Sequence, residues 1–177
     1  MALMLISRMG MASFCPSMPD SNWLELALIR HGIADPRHGG GDHPERALTP
    51  RGRRRTRAVL AVLARRGVTL DRLLTSPYRR ALQTAELAVE VGIAPRLERC
   101  DLLRPAESPL ALVHRLQGRV GLVGHEPDLG QLACGLLGLM PGSLQLKKAG
   151  LVLLRRSEQR WQLDALLRPG LLLERPD

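Results

Sequence analysis

The sequence predicts an α/β fold: a three-layer αβα sandwich built on a mostly parallel sheet with an antiparallel edge. Short apolar segments of strand length alternate with amphipathic helical patterns over most of the 177 residues. Several helical patterns begin at a capping signal in which Pro follows Ser or Thr. The last two apolar segments flank a polar turn, which is typical of a hairpin at the edge of a mixed sheet.

The first half of the chain has one strand and one helix with clear boundaries. Residues 24–29 are an apolar run that stops at Arg30, so we predict a buried strand that enters a loop. The loop, rich in Gly, His, Asp and Pro, continues to about residue 46. Thr49 is then a suitable N-cap, and Pro50 suits the first position of a helix that ends at Gly67.

The second half of the chain repeats this alternation. We predict strands at 70–75, 96–97 and 120–123, and helices over about 76–92, 108–116 and 127–138. Residues 150–154 and 161–166 are predicted to pair as the terminal hairpin.

The length suits one domain, which we place at residues 23–177. Residues 1–22 are Met-rich and lack the apolar region and cleavage site of a signal peptide. We expect either a disordered leader or a start codon assigned too early, and the sequence leaves both open. No apolar run is long enough to predict a membrane span. Three cysteines without a C-x-x-C spacing, Cys15, Cys100 and Cys134, favour a cytoplasmic location.

The formal charge of +9 raises the question of nucleic-acid binding. The basic residues are spread along the chain, stacking aromatics are almost absent, and no nucleic-acid-binding motif is present. We therefore predict no nucleic-acid partner. The densest cluster is R-G-R-R-R-T-R at 51–57, which we interpret as the solvated face of a helix rather than a binding patch.

Residues suited to phosphate follow three of the predicted strands. Arg30-His31-Gly32 follows the first strand, Thr75-Ser76 leads from the second to Arg80, and Gly124-His125 follows the fourth. Ligands of open α/β sheets bind beyond the carboxyl ends of the strands, so these side chains are expected to meet in one crevice. Two guanidinium groups and two imidazoles there favour a phosphate site.

Four motifs in these segments resemble those of a known family. They are L-I-R-H-G at 28–32, L-T-P-R-G at 48–52, T-S-P-Y-R-R-A-L-Q-T-A at 75–85, and V-G-H-E-P-D-L at 123–129. Their order and content are similar to the histidine phosphatase superfamily, in its phosphoglycerate-mutase-like branch 1 and the SixA-like phosphohistidine phosphatases. The resemblance implies the phosphoglycerate-mutase-like fold and covers roughly residues 24 to 166.

The resemblance also implies roles for the matched residues. His31 is the expected nucleophile, Arg30 and Arg80 are expected to hold the phosphoryl oxygens, and His125 to donate a hydrogen bond to one of them. The physics agrees, because neighbouring Arg charges disfavour the cationic form of a nucleophilic imidazole and stabilise the transferring group. Asp101 is the candidate general acid, with Glu107 as a substitute, although both acids also suit a solvated surface.

The short loops at 33–47 and 101–120 predict an open site, which favours phosphohistidine on a protein, such as a histidine-phosphotransfer domain, as the substrate. A small phosphate ester or phosphorylated metabolite is the alternative substrate, and a non-catalytic phosphoprotein-binding module is a rival function. His31, His38 and His43, with Asp35 and Asp42, fit no common zinc spacing. We therefore expect no metal and no organic cofactor.

Overall fold

A computed structural model of the chain describes residues 23–37, 41–158 and 160–173. The proposed leader at 1–22, together with Cys15 and His38, lies outside the described residues. The elements, in chain order, are β1 Leu24–Arg30, α1 Pro50–Arg65, β2 Arg72–Thr75, α2 Arg79–Glu90, β3 Leu97–Arg99, a 3-10 turn Asp101–Leu103, α3 Leu110–Val113, β4 Gly118–Gly124, α4 Asp128–Leu137, β5 Leu151–Ser157, β6 Arg160–Leu167 and α5 Pro169–Leu172.

The strands form one six-stranded sheet in the order β3-β2-β4-β1-β5-β6. The first four strands in that order pair in parallel, and the β5–β6 hairpin adds antiparallel strands beside β1. Helices flank the sheet on both faces, so the predicted α/β sandwich with an antiparallel edge is confirmed.

Successive side chains of β1 point to opposite faces of the sheet and pack into two separate apolar clusters. Ala27 and Ile29 belong to a cluster that includes the buried faces of α1 and α2. Leu24, Leu26 and Leu28 belong to a second cluster that includes α4 and Val113 of α3. Since both faces are covered, β1 is apolar at nearly every position, as expected for a central parallel strand.

The start of α1 agrees with its sequence signal. Thr49 is the N-cap and its Oγ1 accepts a hydrogen bond from the Gly52 amide at 2.9 Å, with Pro50 in the first turn. The Thr49 amide donates to the carbonyl of Ile33 at 3.0 Å. A Cβ on Gly52 would lie 1.9 Å from that carbonyl oxygen, so only glycine permits this close approach. This contact fixes the start of α1 against the loop that follows His31.

Other boundaries differ from the prediction. α2 begins at Arg79 rather than at Ser76, because the Ser76 hydroxyl accepts from the Tyr78 amide in a turn that precedes the helix. α3 is only four residues long, and α5 and the 3-10 turn at 101–103 were not predicted. Within the described residues, no helix combines the length and apolar character that a membrane crossing requires.

Candidate active site

The ends of three parallel strands lie side by side and open into one cleft. Arg30 at the end of β1 pairs with Gly124 at the end of β4, and Thr75 of β2 pairs with Val123. The chain leaves these strands toward His31, His125 and Ser76. The cleft has a volume of about 610 Å³, and its lining includes His31, Arg30, Arg80 and His125. The structure thus brings together the four residues that the sequence placed at one crevice.

His31 lies in the cleft, and one of its two ring nitrogens carries no proton and can act as a nucleophile. Its Nδ1 is 2.7 Å from the carbonyl oxygen of Gly32, which only accepts hydrogen bonds, so Nδ1 carries the proton. The lone pair therefore resides on Nε2, to which Arg80 Nε donates at 3.3 Å. The backbone amide of Gly32 donates to Thr84 Oγ1 at 3.1 Å, which ties the nucleophile loop to α2.

Gly32 has no space for a side chain. A Cβ built at this position would lie 2.1 Å from Oγ1 of Thr56 on α1. Thr56 and Thr84 are both buried, so this loop is enclosed by α1 and α2. The packing explains why glycine follows the nucleophile in the R-H-G motif.

Arg80 is the centre of the polar network, although its side chain is only 3% exposed. Its Nη2 donates to the Asp42 carboxylate at 2.6 Å and to His125 Nδ1 at 3.2 Å. Its Nη1 donates to the carbonyl of His43 at 3.3 Å, and the guanidinium lies 4.9 Å from the ring centre of Tyr78. A buried guanidinium held from several sides is preorganised to stabilise phosphoryl oxygens.

His125 accepts one hydrogen bond and donates another within the protein. Because the Arg80 guanidinium can only donate, His125 Nδ1 accepts from it, and the Nε2–H donates to Ser76 Oγ at 2.9 Å. The two histidine rings are 5.2 Å apart between centres. In this arrangement a neutral His125 has no spare N–H for a phosphoryl oxygen. The donor role implied by the resemblance therefore requires that the ring gain a proton or turn.

The donor atoms of Arg30 differ in their surroundings. Its Nη1 donates to the carbonyl of Leu146 at 2.7 Å, whereas its buried Nε has no hydrogen-bond partner in the described part of the chain. Glu126 accepts from the Leu146 amide at 3.0 Å and so fixes the loop that holds Arg30. A buried orphan donor is costly unless a ligand satisfies it, which fits an oxyanion site at Arg30.

Burial and positive charge keep both imidazoles neutral. The pKa of His31 is lowered to about 3, mainly because burial removes water, and further by His125 and the two arginines. The pKa of His125 is also lowered to about 3, by burial first and then by Arg80. Both rings are therefore unprotonated at neutral pH, as a nitrogen nucleophile requires.

Two further residues of the site, Asp42 and Arg46, were not identified from the sequence. The Asp42 carboxylate accepts from Arg46 as well as from Arg80, and an incoming phosphoryl group competes with it for these donors. These cations lower the pKa of Asp42 against the opposing effect of burial, so it stays ionised. Their loop has no periodic pattern, and the only sequence signal is the position of Arg46 just before the L-T-P-R-G motif.

The structure does not bring the two candidate general acids to the cleft. The side chain of Asp101 is 73% exposed and pairs with Arg104 at 3.0 Å. The 3-10 turn buries Leu103 and leaves Asp101 facing solvent, which sequence spacing alone does not reveal. Glu107 lines a neighbouring cavity of about 440 Å³ rather than the cleft.

Other carboxyl groups do line the cleft, at Glu126 and Asp128. Burial raises the pKa of both groups. Backbone amides hold both groups. Glu126 accepts from Leu146 at 3.0 Å and from Gly130, whereas Asp128 accepts from its own amide and, at the longer distance of 3.3 Å, from Ala106. Asp128 is therefore the better placed of the two for proton transfer.

Comparisons with known proteins identify the family. Residues 26–104 match the model of the histidine phosphatase superfamily, branch 1. An uncharacterized protein of Picosynechococcus sp. is 36% identical over 147 residues, which cover 78% of this chain and 89% of the relative. The chain belongs to branch 1 of the histidine phosphatase superfamily. This membership supports phosphatase activity.

Solved structures of several phosphatases share the fold. The protein histidine phosphatase SixA in complex with tungstate has a TM-score of 0.73 and 23% identity, covering 84% of this chain and 99% of that one. A phosphoserine phosphatase from Entamoeba histolytica in complex with 3-phosphoglyceric acid has a TM-score of 0.64 and 17% identity, covering 85% and 100%. A mycobacterial glucosyl-3-phosphoglycerate phosphatase has a TM-score of 0.64 and 20% identity, covering 82% and 99%.

The described residues include no group of three or more His, Cys, Asp or Glu side chains arranged to hold a metal ion. Of the residues weighed for zinc, His31 is held by Gly32 and Arg80, and Asp42 by two arginines. The expectation that the enzyme needs no metal stays a prediction.

Proposed function

We propose that this histidine phosphatase hydrolyses phosphohistidine on a protein through a covalent phospho-His31 intermediate. The observation that carries the proposal is the Nε2 lone pair of a buried, neutral His31 beside Arg80 and beside the Nε of Arg30, which has no partner among the described residues. A neutral nucleophile within a cationic, preorganised site is the arrangement that phosphoryl transfer needs.

The reaction takes two steps at phosphorus. His31 Nε2 forms a bond to phosphorus while the bond from phosphorus to the substrate imidazole breaks. The substrate ring already carries a proton on its other nitrogen, so it leaves as neutral imidazole. Water then attacks the phosphorus, the bond to His31 breaks, and inorganic phosphate is released. Arg30 and Arg80 bind the equatorial oxygens, on which charge is concentrated in both transition states.

The leaving group favours phosphohistidine, because neither of the general acids expected from the sequence lies in the cleft. An imidazole has a pKa close to neutral, so it leaves without the strong general acid that an alkoxide needs. The short segments on either side of the cleft, which itself opens to solvent, support access by a phosphoryl group presented on a protein surface.

The first test measures phosphate release from a histidine-phosphotransfer domain phosphorylated on its histidine by phosphoramidate, with EDTA present. We expect wild-type protein to release phosphate, His31→Ala to lose at least about a thousandfold in rate, and His114→Ala, which changes an exposed histidine, to match wild type. Release that persists in His31→Ala would overturn the covalent route. If wild type cleaves p-nitrophenyl phosphate but releases no phosphate from the domain, a small phosphate ester is favoured as the substrate.

If wild type acts on neither substrate, the rival function of a phosphoprotein-binding module is favoured. That module still binds the phosphorylated domain, and the binding survives His31→Ala. Direct titration of the domain against both proteins therefore separates this function from catalysis.

A small phosphate ester is the second candidate substrate, and Asp128 is the observation that favours it. Its carboxyl lines the cleft and burial raises its pKa, which suits proton donation to an alkoxide leaving group. We expect Asp128→Asn to slow p-nitrophenyl phosphate little and an alkyl phosphate at least about tenfold, while the matched Asp101→Asn leaves both rates within about twofold of wild type. Equal slowing of the two esters by Asp128→Asn would contradict a proton-donor role.

A further inference from the structure

A second pocket, of about 460 Å³, adjoins the catalytic cleft and has no role in the chemistry above. Arg55 of α1 lines one side, Lys147 and Lys148 before β5 line another, and Arg168 with residues 169–171 of α5 closes it. The pocket includes Arg55, which belongs to the basic cluster at 51–57. From the sequence, that cluster was predicted to be the solvated face of a helix. We call it the basic pocket.

Within the described part of the chain, the four cations of the basic pocket have no counter-charge. Among the described residues, Arg55, Lys147, Lys148 and Arg168 form no ion pair with a carboxylate, and no acidic side chain lines the pocket. Several other exposed arginines of this protein do pair with carboxylates, for example Arg57 with Glu90 at 2.9 Å. Converging cations in a concavity create a positive potential that attracts anionic groups.

Lys148 connects the basic pocket with the catalytic cleft, because its side chain lines both. Burial lowers the pKa of Lys148, and so do the charges of Arg30, Arg46, Arg37 and Arg80. The lysine therefore lies within the electrostatic field of the catalytic arginines. A ligand whose phosphoryl group enters the cleft has its flanking groups within reach of the basic pocket.

The cavity that shares Asp128 with the cleft has a different character. Asp128 lines both the cleft and the neighbouring cavity, where Glu107 is also found. The cleft therefore adjoins a basic pocket at Lys148 and a cavity with two acidic side chains at Asp128. Such asymmetry orients a charged partner and raises its association rate.

We propose that the basic pocket binds acidic side chains that flank the phosphorylated residue of a protein substrate. The inference rests on the proposed protein substrate. Leu171, 82% exposed at the edge of the pocket, suits contact with an apolar side chain of such a partner. Among the residues that the structure describes, no aromatic side chain lines the pocket for stacking on bases, which favours an acidic protein over a nucleic acid.

The test uses fluorescein-labelled, unphosphorylated 12-residue peptides that carry a central histidine flanked by six Glu or by six Gln. Binding to the wild-type chain is measured by fluorescence anisotropy. We expect the Glu peptide to bind at least about tenfold more tightly than the Gln peptide, with the preference reduced at 300 mM salt. Lys147→Ala/Arg168→Ala is expected to abolish most of this preference.

The matched control is Arg53→Ala/Arg115→Ala, which removes the same charge from exposed positions outside the pocket. It should keep the preference for the Glu peptide. Equal affinity of wild type for the two peptides, equal loss in the two double variants, or tighter binding of a single-stranded RNA of the same length would overturn the proposal. Because these peptides carry no phosphoryl group, the result does not depend on catalysis, and p-nitrophenyl phosphate hydrolysis by each variant reports separately on the active site.

Discussion

At the scale of single residues, the charge state of His125 decides how the site receives an oxyanion. The pKa of His125 is lowered to about 3 by burial and by Arg80, and both ring nitrogens are engaged within the protein. A dianion beside the ring adds negative charge, which raises the pKa of the imidazole. We infer that oxyanion binding recruits a proton to His125, which then becomes a donor.

This inference predicts that the protein takes up a proton when it binds tungstate. Tungstate is the anion in the SixA structure of similar fold. Tungstate binding is measured by calorimetry at pH 7 in buffers of different ionisation enthalpy. We expect wild type to take up about half a proton to one proton per tungstate, and His125→Asn to take up none and to bind at least about tenfold more weakly. Uptake that is unchanged in His125→Asn would place the proton elsewhere.

At the scale of elements, α2 positions the nucleophile through Thr84. Its Oγ1 accepts from the Gly32 amide at 3.1 Å and donates to the carbonyl of Arg80 at 2.8 Å. One hydroxyl thus connects the loop of His31 to the first turn of the helix that carries Arg80. The Q-T-A part of the third motif therefore has a structural role in the site, as Gln83 also accepts from the Leu48 amide at 2.7 Å.

Thr84→Val keeps the shape of the side chain and removes the hydroxyl. The buried Gly32 amide then loses its partner, which costs about 1–3 kcal/mol of unfolding free energy. Because the loop is no longer held, we also expect kcat to fall about tenfold or more with KM less affected. Urea unfolding measures the change in stability, and steady-state kinetics measure kcat and KM. Thr84→Ser keeps the hydroxyl and should restore both the stability and the kcat of wild type. A Thr84→Val variant as active as Thr84→Ser would show that the loop is positioned by other contacts.

The elements also explain how much of the site was predictable from the sequence. Arg30, His31 and His125 could be placed because β1 and β4 are parallel neighbours, so residues that follow them share one edge of the sheet. Asp42 could not be placed, because its loop lacks periodicity and its position depends on the ion pair with Arg80, 38 residues away along the chain. Asp101 follows β3 as expected, but the direction of its side chain depends on a 3-10 turn that spacing does not reveal.

At the scale of the whole molecule, the two neutral imidazoles make the fold sensitive to acid. In the unfolded chain a histidine has its ordinary pKa of about 6.5, whereas in the folded chain the pKa of His31 and of His125 is about 3. Between these values the unfolded state binds more protons than the folded state, so the free energy of unfolding falls as the pH falls. Each histidine is expected to contribute a loss of about 2 kcal/mol between pH 7 and pH 5.

Replacing one of the two histidines isolates this effect from the rest of the molecule. The partly buried carboxyls Glu126 and Asp128 have raised pKa values and oppose the trend, but they are shared by wild type and variant and cancel in the difference. Urea unfolding at pH 7 and pH 5 should therefore show a fall in stability that is about 2 kcal/mol smaller for His31→Asn than for wild type. His125→Asn should show the same reduction. An equal fall in all three proteins would mean that the imidazoles are protonated in the folded state at pH 5, and the neutral nucleophile of the proposed mechanism would then be available only at higher pH.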